Sequence, residues 1–64
     1  MVDLNAAERR SQIAQMVIES GRIQVADLVE LFQVTETSIR RDLNILEDAG
    51  RLKRVHGGAV PLQG

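Results

Sequence analysis

Apolar and polar positions alternate along this chain with two periods, and the switches between them mark its elements. Ala6, Ile13, Met16, Val17 and Ser20 fall on one helical stripe. Asn5 followed by Glu8 has capping-box spacing, and Gly21 supplies a stop, so the pattern predicts a first helix over 6–20. Ile23 and Val25 alternate with Arg22 and Gln24, which predicts a very short strand. Leu28, Leu31 and Phe32 then recur at helical spacing in a short second helix near 26–32. Val34 falls in a turn, and Thr35 is placed to cap a third helix whose buried stripe is Ile39, Leu43 and Leu46. Glu36 suits the positive end of that helix's dipole, and Gly50 ends it, with the last helical residue near 49. Glu47 and Asp48 oppose the dipole at its far end and have only Arg51, Lys53 and Arg54 nearby to offset them. Leu52 to Val55 alternates as a strand, His56-Gly57-Gly58 turns with both glycines suited to positive φ, and Ala59-Val60 returns until Pro61.

Helix, strand, helix, helix and hairpin in that order give a mainly α fold with a small β-hairpin, a winged helix-turn-helix with the hairpin as wing. Such a fold presents its third helix to the DNA major groove. With Ile39 as origin, Arg40, Asn44, Thr37 and Arg41 fall between roughly 100° and 200° around that helix, opposite the buried stripe. Arg can pair bidentately with guanine and Asn with adenine, while a Thr methyl can meet the thymine methyl. An exposed Arg-Arg-Asn face on an arbitrary helix is commonly just solvated. Here a supporting helix, a tight turn, a threonine cap and a basic hairpin follow at the expected spacings, and that conjunction favours duplex DNA.

Composition narrows the alternatives. Sixty-four residues make one domain with a modest core and a thin stability margin, too small for most catalytic clefts. The absence of cysteine excludes disulfides and thiolate metal sites, and a single histidine cannot build a zinc site. No apolar run approaches the roughly 18 residues of a membrane span, and the N-terminus lacks a signal-peptide pattern, so a cytoplasmic setting is expected. A net charge of −1 and a pI of 5.7 argue at first against a nucleic-acid partner. The distribution reverses this: residues 1–34 hold three cations against five acids, and residues 35–64 hold five against four. Positive charge gathers on the third helix and the hairpin. The low total still implies modest non-specific affinity, with tight binding left to dimerisation.

The blocks Ile39-Arg40-Arg41-Asp42-Leu43 and Arg54-Val55-His56-Gly57-Gly58-Ala59 carry a family resemblance. With Arg9, Ile13, Gly21, Val25, Leu28, Val34-Thr35, Leu46-Glu47 and Gly50, they make the stretch from Arg9 to Val60 similar to the DeoR-type winged helix-turn-helix of bacterial repressors of sugar metabolism. Thr35 stands where that family usually has serine, and Ser38 where it usually has threonine; both keep the hydroxyl. The resemblance implies sequence-specific binding to a double-stranded operator by the N-terminal domain of a regulator. It also implies a C-terminal sensor domain, not contained in this chain, that takes a sugar phosphate effector and drives homo-oligomerisation. The domain itself is expected to need no cofactor or metal and to be monomeric in isolation. Its expected extent is 6–61, with the helix-turn-helix core at 23–42, the wing at 52–61, and 62–64 opening a linker.

The residues expected to contact DNA are then Thr35, Thr37, Ser38, Arg40, Arg41, Asn44, Arg54 and His56. Thr35 and Ser38 begin the third helix, where a phosphate is favoured. Arg54 and His56 belong to the wing, the alternative being an ordinary basic hairpin. Arg9 and Asp42 both lie at the edges of apolar stripes, where charges are seldom unpaired, so a bridge between the first and third helices is expected. Met16 and Phe32 are assigned to the core, and Arg10 and Arg22 to solvent. Two rival classes are weak. A protein-interaction module would need an apolar patch in place of Thr37, Arg41 and Asn44, and an enzyme would need clustered catalytic groups that the sequence lacks.

Overall fold

The computed structural model describes residues 5–62. Helix α1 (Ala6–Ser20) begins as its capping pattern predicts: Asn5 Oδ1 accepts the Glu8 N–H at 2.8 Å, and Glu8 Oε1 accepts the Asn5 N–H at 3.2 Å. It ends at Gly21, whose left-handed φ of 81° lets its N–H reach the Val17 carbonyl. Strand β1 (Ile23–Gln24) leads directly into α2 (Val25–Phe32), and a tight turn leads to α3 (Glu36–Asp48). Strands β2 (Lys53–Val55) and β3 (Gly58–Val60) form the hairpin. This is the winged helix-turn-helix, mostly helical with a small antiparallel sheet.

The sheet goes beyond the predicted hairpin. Its order is β1-β3-β2, all antiparallel, with Ile23 opposite Ala59 and Ala59 opposite Arg54. The short strand before α2 therefore completes the wing, and the Val25 N–H donates to the Gly57 carbonyl at 2.9 Å. Val25, expected in the strand, is instead the first residue of α2, one position earlier than predicted.

The core comprises Ile13, Ala14 and Val17 from α1, Val25 and Leu28 from α2, Ile39, Leu43 and Leu46 from α3, Ile23 and Ala59 from the sheet, and Leu52 from the link into β2. The buried stripes are short, about one turn in α1 (Ile13 to Val17) and α2 (Val25 to Leu28) and about two in α3 (Ile39 to Leu46). That limit explains two corrections. Ala6 and Ser20 lie on the α1 stripe but near its ends, beyond the elements that cover it, and both are exposed, whereas Ala14 is buried. Leu31 is 59% exposed, because the buried arc of α2 centres between Leu28 and Val25 and takes in Val29 and Phe32 on its flank. Met16 and Phe32 are half-buried against the core margin.

Two terminations hold α3 in place. Thr35 Oγ1 accepts the Ser38 N–H at 3.2 Å at the start. At the end, Gly50 (φ 73°) allows the Arg51 N–H to reach the Leu46 carbonyl at 2.9 Å and its own N–H to reach Glu47 at 3.0 Å. This paired geometry is a Schellman motif. In the turn before α3, Gln33 takes a left-handed φ of 57°, unusual for a residue with a side chain, and its Nε2 donates to the Glu30 carbonyl at 2.7 Å.

Candidate nucleic-acid interface

Packing of the Ile39–Leu43–Leu46 stripe leaves the opposite side of α3 open, and Thr37, Arg40, Arg41 and Asn44 are all exposed there. The orientation of that side is fixed from behind. Asp42 is 2% exposed, and its carboxylate bridges back to α1: Arg9 Nε donates to Oδ2 at 2.5 Å and Arg9 Nη2 to Oδ1 at 3.2 Å. Hydrogen bonding to Asp42 raises the Arg9 guanidinium above its ordinary range, against the opposing effect of burial. Arg10, expected in solvent, adds a third contact, with Nη1 3.3 Å from Asp42 Oδ1. One turn of α1 thus supplies two cations to one buried acid, since a lone carboxylate there would be left desolvated and unpaired.

Several candidate residues are engaged with one another. Arg40 Nη2 lies 2.5 Å from Glu36 Oε2, an exposed pair one helical turn apart. Arg54 Nη1 donates to Asn44 Oδ1 at 2.5 Å, tying β2 to the middle of α3. The Arg54 backbone N–H donates to Glu47 Oε2 at 3.0 Å, which gives Glu47 the purpose that its unfavourable place in the helix dipole lacked. Arg54 is half-buried, and its Nε is a buried donor without a hydrogen-bond partner among the described residues. It is therefore seated against α3 rather than extended at the wing tip. His56 does stand exposed at that tip, in the turn made by Gly57 with φ 75°.

The two hydroxyls at the start of α3 differ in availability. Thr35 Oγ1 accepts the Ser38 N–H and donates to Ser38 Oγ at 3.0 Å, so it is committed to the cap, while the Ser38 hydroxyl keeps its own proton for another acceptor. Gly57 and Gly58 also part company. Only Gly57 has positive φ; a Cβ on Gly58 would sit 2.0 Å from the Ile23 carbonyl oxygen, so that glycine is needed for close approach of β3 to β1.

A groove of about 420 Å³ opens between α2, the first turns of α3 and the wing. Val25, Ala26 and Val29 line one wall, and Glu36, Arg40, Arg54 and Gly57 line the others. The structure thus sets Arg40 and Arg54 on one groove, with Asn44 bonded to Arg54, Thr37 and Arg41 exposed on α3, and His56 at the wing turn. Glu36 was not among the expected site residues, although its spacing of four from Arg40 is visible in the sequence. Among the described residues, no group of three or more His, Cys, Asp or Glu side chains could hold a metal ion, and no helix is long and apolar enough to cross a membrane.

Comparison with known proteins agrees with this architecture. Residues 9–63 match the family model of the DeoR-like helix-turn-helix domain. The chain is 44% identical over 59 residues to a protein of Escherichia coli (strain K12) named "Putative galactitol utilization operon repressor", covering 92% of this chain and 53% of that protein. It is 47% identical over 57 residues to the HTH-type transcriptional regulator YulB of Bacillus subtilis (strain 168), covering 89% of this chain and 22% of that protein. It is also 42% identical over 52 residues to the lactose phosphotransferase system repressor of Streptococcus mutans, covering 81% and 21% respectively. The chain therefore spans about half the length of the first of these relatives and about a fifth of the other two. No solved structure matches. A family match across most of the chain, over the fold that the family name describes, makes this chain a member of the DeoR-like helix-turn-helix domain family.

Proposed function

We propose that this chain binds duplex DNA sequence-specifically, as the N-terminal domain of a transcriptional repressor of carbohydrate metabolism genes. The observation that carries the reading is the α3 surface: Thr37, Arg40, Arg41 and Asn44 stand open on one side, while Asp42 locks the other side to α1. In this reading α3 enters the major groove, Thr37, Arg41 and Asn44 face bases, and Arg40 faces bases and phosphates. Ser38 donates to backbone phosphate, and Thr35 supports it as the cap. Arg54 and His56 bring the wing to the flanking backbone. Domain limits of 6–61 follow, with the linker at 62–64; Gln63 and Gly64 lie outside the described residues.

The relatives' names supply the regulatory part. Proteins named as a putative galactitol utilization operon repressor and a lactose phosphotransferase system repressor match this chain within longer chains of their own. Occupancy of an operator would block polymerase, and a sugar phosphate bound by a C-terminal sensor domain would loosen that grip. Homo-oligomers acting on half-sites about one helical turn apart suit so small a domain, whose own charge gives little affinity. The reading places the protein in the bacterial cytoplasm and gives it no enzymatic activity.

Fluorescence anisotropy of labelled duplexes at increasing salt tests it. Groove binding predicts affinity falling with a log–log slope of about −0.9 per phosphate neutralised. Affinity that ignores salt would contradict the assignment. On a selected site, Arg41→Ala should cost about 1–3 kcal/mol, and less on unrelated duplexes.

A further inference from the structure

The exposed carboxylate of Glu36 needs an explanation at a surface meant for a polyanion. It is the first residue of α3 and 57% exposed, and it borders the groove between α3 and the wing. Residues at the N-terminal end of a recognition helix are those that reach base edges. An uncompensated acid there repels phosphate, so its presence lowers general affinity. Arg40, one turn on, holds the carboxylate through Nη2–Oε2 at 2.5 Å and offsets its charge while remaining 61% exposed itself.

A carboxylate can only accept hydrogen bonds. In the major groove, hydrogen-bond donors come from two groups alone, the N4 amino of cytosine and the N6 amino of adenine. Adenine sets its N7 lone pair beside that amino group, facing the incoming acid, whereas cytosine presents its amino donor without a neighbouring acceptor on the same base. Guanine and thymine offer only acceptors, plus the thymine methyl, and so repel it. We infer that Glu36 is a specificity-determining residue that selects cytosine in the DNA target through the N4 amino group, with Arg40 as the positioning residue that aims its carboxylate. This rests on the duplex-binding reading above and adds a base identity to it. One carboxylate oxygen faces Arg40, and the other remains to accept from the base.

Selection of bound duplexes from a randomised library, followed by sequencing, tests the inference with the unaltered chain and with Glu36→Gln, Glu36→Ala and Arg40→Ala. All three substitutions are at exposed positions, and circular dichroism confirms folding. The unaltered chain should enrich cytosine at one fixed position on the order of tenfold over other bases. Glu36→Gln should move that preference to adenine, and Glu36→Ala should flatten it while binding to mixed-sequence DNA tightens. Arg40→Ala should weaken the cytosine preference at the same position, an effect that simple loss of a phosphate contact would not produce. Retention of the same preference by both Glu36 variants, with binding intact, overturns the inference alone. Failure of the unaltered chain to enrich any duplex overturns it together with the reading on which it rests.

Discussion

Asp42 shows how one side chain can decide where a functional surface points. It is a buried acid on α3, held by Arg9 and Arg10 from α1, and removal of a partner from such a pair leaves charge without compensation. Asp42→Ala should destabilise the chain by about 3 kcal/mol in urea unfolding, the low end of the usual range because the two arginines are partly solvated. Arg9's raised pKa means its contribution is fully present below the ordinary arginine value and lost only as pH climbs past the elevated folded value. Stability should therefore show no Arg9-dependent slope anywhere near neutral pH. At the wing, the two adjacent glycines should respond differently to alanine. Gly57→Ala meets open space but a left-handed φ, costing about 1 kcal/mol, whereas Gly58→Ala drives a Cβ against the Ile23 carbonyl and should cost about 3 kcal/mol. Thermal unfolding of the two variants checks the order.

Elements were legible where local chemistry decides them and obscure where partners do. The Asn5–Glu8 box, Gly21, the Thr35 cap and Gly50 each act within one turn of chain, and each delimits its helix as the sequence predicts. The pairing of β1 with β3 joins residues far apart in the chain, and nothing in Ile23-Gln24 alone announces its partner. The helical period puts Leu31 on the α2 stripe, whereas the position of the neighbouring elements turns it outward and draws Val29 in. The candidate site divides in the same way: periodicity places Thr37, Arg40, Arg41 and Asn44 on one face. The Arg54–Asn44 bond depends instead on how the wing folds back. That bond makes a prediction at this scale. Arg54→Ala should leave α3 folded and loosen the wing against it, since the backbone bond to Glu47 remains, raising amide exchange through residues 53–60 modestly while weakening duplex binding. Thr35→Ala should cost about 1 kcal/mol by uncapping α3.

For the molecule as a whole, charge is sparse and unevenly placed, so its partner had to be read from position rather than total. A net charge of −1 coexists with a face whose arginines come from α3 and the wing, while acids Glu19, Asp27 and Glu30 lie on α1 and α2. Among the described residues, the core that supports this face is a single cluster of eleven shared by every helix, so its members have little redundancy. Leu28→Ala or Leu43→Ala, each fully buried, should cost about 2–5 kcal/mol, a large part of the stability available to a domain this size. The central claim is that the open side of α3 and the wing together form the DNA surface. An isotope-labelled chain titrated with duplex at low ionic strength, and followed by amide NMR, tests it most directly. The account predicts shifts concentrated at residues 36–44 and 54–57, with the outward face of α1 at Gln12, Gln15 and Glu19 unmoved. Shifts centred on α1, or none at all, would contradict it.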